Sequence, residues 1–235
     1  MFVIGVAGQA QNGKDTLADR LKEKLNEQGG NWERAAFAAN VKKVYCDTFG
    51  VDLDFVEKWK VLSEAPPGFD MTVRQGLQFI GDGFRKIRST IWLDLAFRDQ
   101  ITPKILSDVR YVNEFKRVKQ EGGFNILIGR TDKLNDDPNG SEAQIKPYTE
   151  WCLKECKSHS GYFVDLRQYD WSSVYGYSDL GDREYPPDNM EVFDAFVRND
   201  QDKDALYKII DEKLVPLIQQ YVFKSPKEEI CLTSN

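Results

Sequence analysis

Long apolar runs are missing from this chain. No stretch among its 235 residues approaches the ~20 apolar residues that a membrane-spanning helix needs. The start, Met1-Phe2-Val3-Ile4-Gly5, lacks the basic and apolar regions of a secretory signal and reads directly into a strand. A cytoplasmic protein is expected. Cysteine is scarce: Cys46, Cys152, Cys156 and Cys231 are irregularly spaced, as suits free thiols in a reducing compartment. Histidine is scarcer still, with His159 alone, so Cys–His nucleophile chemistry has little to stand on. Basic charge is not in excess. Lys and Arg number 32 against 38 Asp and Glu, a net charge of −6, which argues against a general nucleic-acid coat. Repeats and low-complexity tracts are absent.

What is there is an ordinary globular composition, 41% hydrophobic and 12% aromatic, enough for a packed core. Residues 1–117 hold 18 basic against 16 acidic residues, and residues 118–235 hold 14 against 22. A polyanion site is therefore sought in the first half. Apolar runs at 2–7, 35–38, 104–109, 124–128 and 192–197 predict five strands. Helical spacing predicts helices from Leu17 through Leu25, over 41–49, 72–80, 90–97, 114–120 and 147–158, and a long one over 203–221. A turn is predicted near Gly81-Asp82-Gly83, a polar loop over 131–146 and a frayed tail over the last dozen residues. Strands alternating with helices make an α/β protein with a mostly parallel five-stranded sheet covered on both faces.

The strongest local signal is Gly8-Gln9-Ala10-Gln11-Asn12-Gly13-Lys14-Asp15-Thr16. It matches the Gly-x4-Gly-Lys core of a phosphate-binding loop, placed between an apolar strand and a helix. Glycines let backbone N–H groups curl around phosphate oxygens, the helix N-terminus adds positive potential, and Lys14 supplies a mobile charge. Asp15 stands where Ser or Thr is usual, with the hydroxyl one residue later at Thr16. No Asn-Lys-x-Asp guanine signature is present, which turns the reading towards a small-molecule kinase.

Further segments, in order, carry a resemblance. They are Phe37-Ala38-Ala39-Asn40-Val41-Lys42-Lys43, Arg74-Gln75-Gly76-Leu77-Gln78-Phe79-Ile80-Gly81-Asp82, Ile91-Trp92, Ser107-Asp108-Val109-Arg110 with Glu114, Arg130, and Arg198-Asn199-Asp200. Together with the loop they resemble the bacteriophage deoxynucleoside monophosphate kinases, over most of 1–130 and about 190–222. The resemblance implies a single P-loop kinase domain over 1–235, with an acceptor-site helical insert at about 50–100 and a lid or aromatic insert at about 131–190. It implies ATP and Mg²⁺ as cofactors, a deoxynucleoside monophosphate as substrate and a homodimer, with no nucleic acid or membrane as partner. Departures are the neutral Gln11-Asn12, Ser107 in place of proline, and residues 155–190, which have no family counterpart.

Within that frame Gly8, Asn12, Gly13, Lys14, Asp15 and Thr16 would hold the nucleotide phosphates, and Lys14 would bridge the transferring group. Asp15, Thr16 and Asp108 would place the metal, with helix capping or an ion pair as the other reading of Asp108. Arg74 and Arg110 would grip the acceptor phosphate, with Val41, Lys42, Gly81 and Glu114 around them. Trp92 either stacks on the acceptor base or packs in the core. Arg130 would be a lid arginine, and Asn199 either faces adenine or caps the last helix. A kinase for another acceptor, such as dephospho-coenzyme A, and a non-catalytic ATP-binding adaptor are the alternatives. Cys152, Cys156 and His159 share a helix face, but no fourth zinc ligand is spaced nearby. The aromatic stretch 162–185 carries more acid than base, which favours a covering flap or a dimer contact over a groove for single-stranded nucleic acid.

Overall fold

The computed structural model of the chain describes residues 2–98, 102–134, 143–158, 162–171 and 186–224. Its strands are β1 (Val3–Ala7), β2 (Glu33–Ala35), β3 (Lys104–Val109), β4 (Phe124–Gly129), β5 (Phe163–Asp165) and β6 (Ala195–Arg198). They form one sheet in the order β2-β3-β1-β4-β6-β5. Every pairing is parallel except that of β5 with β6. The helices are α1 (Lys14–Glu27), α2 (Phe37–Phe49), α3 (Leu53–Trp59), α4 (Val73–Ile87), α5 (Ile91–Ala96), α6 (Val112–Gln120), α7 (Lys146–Ser158), α8 (Lys203–Ile209) and α9 (Val215–Lys224).

The two-residue period of the central strand sorts its side chains between two cores. Ile4 and Val6 face Leu17 and Leu21 of α1 and the C-terminal residues Ile210 and Leu214. Val3 and Ala7 face the layer that holds Phe37, Trp92, Phe115 and Trp151. Each large side chain fully buried this way contributes about 1.5–3 kcal/mol relative to exposure. No helix among the described residues is long and apolar enough to cross a membrane.

The structure departs from the sequence pattern in five places. A sixth strand, β5, closes the sheet as an antiparallel edge; three residues are too few for a periodic signal. The expected strand over 35–38 ends at Ala35, because the Asp108 carboxylate accepts the N–H groups of Phe37 and Ala38 and starts α2 there. The strand expected over 192–197 begins only at Ala195. It follows a 3₁₀ turn, Met190–Val192, entered through Asn189 at φ 65°. The turn expected at Gly81 is absent: α4 runs on to Ile87. It is started by a reciprocal cap between Thr72 and Gln75 and tied midway by the Trp92 indole N–H on the Gly81 carbonyl, 3.0 Å. The long terminal helix is interrupted by a π-helical turn, Ile210–Leu214, between α8 and α9. Residues 225–235 of the predicted tail, 135–142 of the polar loop and 172–185 of the aromatic stretch lie outside the described residues.

Candidate functional site: a glycine loop and a cationic cleft

The loop from Gly8 to Gly13 leaves β1 and enters α1 at Lys14. Its glycines are required by close approach. A Cβ on Gly8 would lie 2.4 Å from the Ile128 carbonyl oxygen. One on Gly13, at φ 95°, would lie 2.5 Å from Asn199 Nδ2. Asn12 fastens the loop to the neighbouring strand: its Oδ1 accepts the Arg130 N–H at 2.5 Å and its Nδ2 reaches the Ala10 carbonyl at 3.1 Å. Lys14 is 9% exposed and donates from Nζ to the Gln9 carbonyl at 2.7 Å, which folds the ammonium back over the loop. The first turn of α1 thus presents backbone N–H groups and a cation together, the arrangement that suits a phosphate.

Asn199 is a correction. It neither faces outward to a base nor caps the last helix. It is 8% exposed and donates from Nδ2 to the Asn12 carbonyl at 3.0 Å, while Asp202 caps α8 through the Ala205 N–H at 2.9 Å. Asn199 clamps the glycine loop from β6.

The expected metal set also divides. Asp15 is exposed, and its carboxylate is ion-paired with Arg34, whose guanidinium also reaches Asp19 at 2.7 Å and Ser107 Oγ at 2.8 Å. Asp15 thereby braces α1 against β2 and β3. Asp108 caps α2, receiving Phe37 N at 2.9 Å and Ala38 N at 2.8 Å. Burial pushes its carboxyl above the ordinary range, against the pull of those two N–H groups and of Arg110. Among the described residues no group of three or more His, Cys, Asp or Glu stands together as a metal site. Thr16, half-buried, is the loop's remaining hydroxyl. That donor set fits Mg²⁺ held mainly by substrate phosphates and water rather than by a protein cage.

Beside the loop lies a cleft of about 660 Å³. Val41 and Lys42 of α2, Arg74 and Gly81 of α4, and Asp108, Arg110 and Glu114 after β3 all line it, so seven sequence-predicted positions converge. Lys42 is paired with Glu57 at 2.6 Å, which also binds Lys60; the two lysines hold the Glu57 carboxyl below its usual range. Glu114 is 4% exposed and accepts Arg110 N at 2.7 Å and Tyr111 N at 3.1 Å. Burial, reinforced by the nearby Asp108, raises its pKa to about 7. Arg74 is exposed and has no ion pair or side-chain hydrogen bond among the described residues. Because β1 and β3 are paired, with Ala7 beside Val109, Gly8 and Arg110 leave adjacent strands at the same carboxyl edge. That edge is where open parallel sheets bind ligands.

Other expectations change. Trp92 is 2% exposed, with its N–H on Gly81 and its ring 5.5 Å from that of Phe84; it is core, not a stacking platform. Arg130 is half-buried and paired with Asp132 at 2.9 Å, and its backbone belongs to the Asn12 strap rather than to the cleft. Cys152 and Cys156 are buried, and burial raises both thiols, Cys156 to about 12; His159 lies outside the described residues. Tyr169 and Trp171 stack at 5.1 Å beside Trp151, so these two aromatics of the stretch pack on the core, whereas Tyr162 is exposed. Sequence reasoning missed Arg85, which lines the cleft, sits 4.8 Å over the Tyr111 ring and pairs with Asp82 at 3.2 Å. Its signal was the helical spacing from Arg74, hidden by the turn expected at Gly81.

Fold and site together define an α/β protein with a six-stranded, mostly parallel sheet. A glycine loop and a cation-lined cleft lie along its carboxyl edge. No protein-family model matches the chain. A protein of Acanthamoeba polyphaga mimivirus, named "Putative deoxynucleotide monophosphate kinase", is 27% identical over 165 residues, 62% of this chain and 83% of that protein. A sugar kinase from Janibacter sp. HTCC2649, solved without ligand, aligns over 93% of this chain and 95% of its own at 11% identity and a TM-score of 0.36. Likeness at that level carries no argument about this protein.

Proposed function

We propose that the protein is an ATP-dependent kinase that transfers a phosphoryl group to a deoxynucleoside monophosphate. The observation that carries this reading is the adjacency of two anion-seeking features. The Gly8–Lys14 loop and the cleft of Arg74, Arg85 and Arg110 open from neighbouring strands of one sheet edge. A loop alone asks only for a nucleotide. A second cationic cleft beside it asks for a second anion, which a donor-only adaptor has no use for. The name of the mimivirus relative agrees.

The chain's own residues divide the work. The N–H groups at the start of α1 and the Lys14 ammonium orient the donor phosphates and stabilise charge that builds on the transferring group. Asn12 and Asn199 keep that loop in one conformation before substrate arrives. Arg85 and Arg110 bring an acceptor dianion close to the donor, which two like charges in a partly dry site resist without cations between them. Mg²⁺, when bound, would neutralise phosphate charge, and the Thr16 hydroxyl would help hold it. A role in DNA precursor supply follows from the acceptor.

The test is a coupled assay of ADP formation with ATP, Mg²⁺ and each of the four common deoxynucleoside monophosphates, with dephospho-coenzyme A as a rival acceptor. At least one deoxynucleoside monophosphate should be consumed, and Lys14→Ala should lower turnover at least about 100-fold while leaving the fold intact. Use of dephospho-coenzyme A alone would transfer the site to that acceptor. ATP binding without transfer to any acceptor would leave an adaptor.

A further inference from the structure

The cleft has two chemically different ends, and α4 is the ruler between them. Arg74, Gln78, Asp82 and Arg85 follow one another at helical spacing along its cleft-facing side. Arg85 lies eleven positions after Arg74, about 16 Å along the axis at 1.5 Å per residue. Arg85 belongs to the end next to the sheet. Its guanidinium lies 4.8 Å over the Tyr111 ring and is steadied by Asp82 at 3.2 Å. Tyr111 directly follows Arg110 at the carboxyl end of β3, beside the glycine loop. Arg74 belongs to the other end. There the cleft continues into a smaller cavity of about 260 Å³, formed with Lys60, Val61 and Thr72, that contains neither Arg85 nor Arg110.

Resting on the kinase reading above, we propose that the acceptor lies along α4 in a fixed direction. Its phosphate sits between Arg85 and Arg110, and its base lies towards Arg74 and Gln78. Three observations converge on this. Phosphoryl transfer requires the acceptor phosphate at the loop end of the cleft, and Arg85 and Arg110 are the arginines lining it there. Of the three acids at that end, Asp108 and Glu114 are engaged by backbone N–H groups of Phe37, Ala38, Arg110 and Tyr111, and Asp82 is paired with Arg85, which lessens their repulsion of a dianion. At the far end Arg74 has no ion pair or side-chain hydrogen bond among the described residues, and Gln78 is exposed. They offer donor and acceptor groups of the kind that read a base edge, where a guanidinium can serve acceptor atoms in pairs.

The probes are the four deoxynucleoside monophosphates and deoxyribose 5-phosphate, which keeps the phosphate and lacks the base. Each is titrated calorimetrically against wild type, Arg85→Ala and Arg74→Ala. Arg85→Ala should weaken every probe, deoxyribose 5-phosphate included, by at least about tenfold, and Arg85→Lys should restore part of that loss. Arg74→Ala should leave deoxyribose 5-phosphate binding within about twofold and change the ranking of the four nucleotides. Should Arg85→Ala prove unfolded by circular dichroism, Arg85→Lys takes its place, with a smaller loss across all five probes expected. Loss of deoxyribose 5-phosphate on Arg74→Ala with retention in the Arg85 variant would reverse the orientation and overturn the proposal. Equal losses in both would overturn it too. Wild type that binds monophosphates but never phosphorylates them would fail the kinase reading and leave the orientation standing; wild type that binds none would end both.

Discussion

Glu114 is the residue whose surroundings are most sharply at odds with its charge. It is 4% exposed, and its pKa lies at about 7 against the ordinary 4.5. The groups facing it are Asp108 from β3, which raises it, and Arg85 of α4 with the N–H groups of Arg110 and Tyr111, which lower it. Burial, with Asp108, outweighs the groups that lower it. The consequence for stability has a definite sign. Between pH 4.5 and about 7 the folded protein keeps a proton on Glu114 that the unfolded chain has released. Stability therefore falls as pH rises through that window and levels off above it. From about pH 5 to about pH 8 the loss from this group should be about 2–3 kcal/mol. Glu114→Gln keeps an oxygen for both N–H groups and removes the titration, so urea unfolding of the variant at those two pH values should show the pH-dependent loss reduced by that amount. A loss as large as in the wild type would place the titration elsewhere.

At the scale of elements, α4 decides what the cleft contains. Its continuity through Gly81 and Gly83 aligns Arg85 with Arg74, and glycine is a poor helix former because it gives up the most backbone freedom on ordering. Gly81 lines the cleft and carries the Trp92 hydrogen bond. Gly83 does neither, and a Cβ there would meet no atom within 4 Å. Gly83→Ala should therefore stabilise the protein by about 0.5–1 kcal/mol, read by denaturant unfolding, with catalysis unchanged. A chain that turned at Gly81-Asp82-Gly83 would be unaffected or weakened by the same change. Four helix starts are settled by side chains from elsewhere in the fold or nearby: Asp108 for α2, Asp52 for α3, Thr72 for α4 and Asp202 for α8.

For the whole molecule, ligand binding and folding are linked, because a ligand that binds only the folded state stabilises it by mass action. Free ATP at about 100 times its dissociation constant should add about 2.7 kcal/mol. For a chain of this size that raises the melting temperature by roughly 5–10 °C. Thermal unfolding with and without ATP and Mg²⁺ measures the shift, and Lys14→Ala should remove most of it. A wild-type protein whose melting temperature ignores ATP would take nucleotide binding away from the Gly8–Thr16 loop.

The sequence alone determined the parts whose signal is local. A buried apolar run followed by Gly8, Gly13 and Lys14 specifies a strand, a tight glycine loop and a helix, because backbone sterics and hydrophobic period act over a few residues. Strand and helix alternation likewise made a parallel α/β sheet legible, and seven predicted cleft positions did line one cavity. Tertiary structure decided which partner each polar group takes, since partners distant in sequence compete for it. Asp108 went to the N–H groups of α2, Asp15 to Arg34 and Asn199 to the Asn12 carbonyl. Trp92 went to the core, where the Gly81 carbonyl satisfies its indole N–H and its ring is hidden from water. Arg85 came into the cleft only because packing held α4 straight through two glycines, a choice that tertiary contacts make against local propensity.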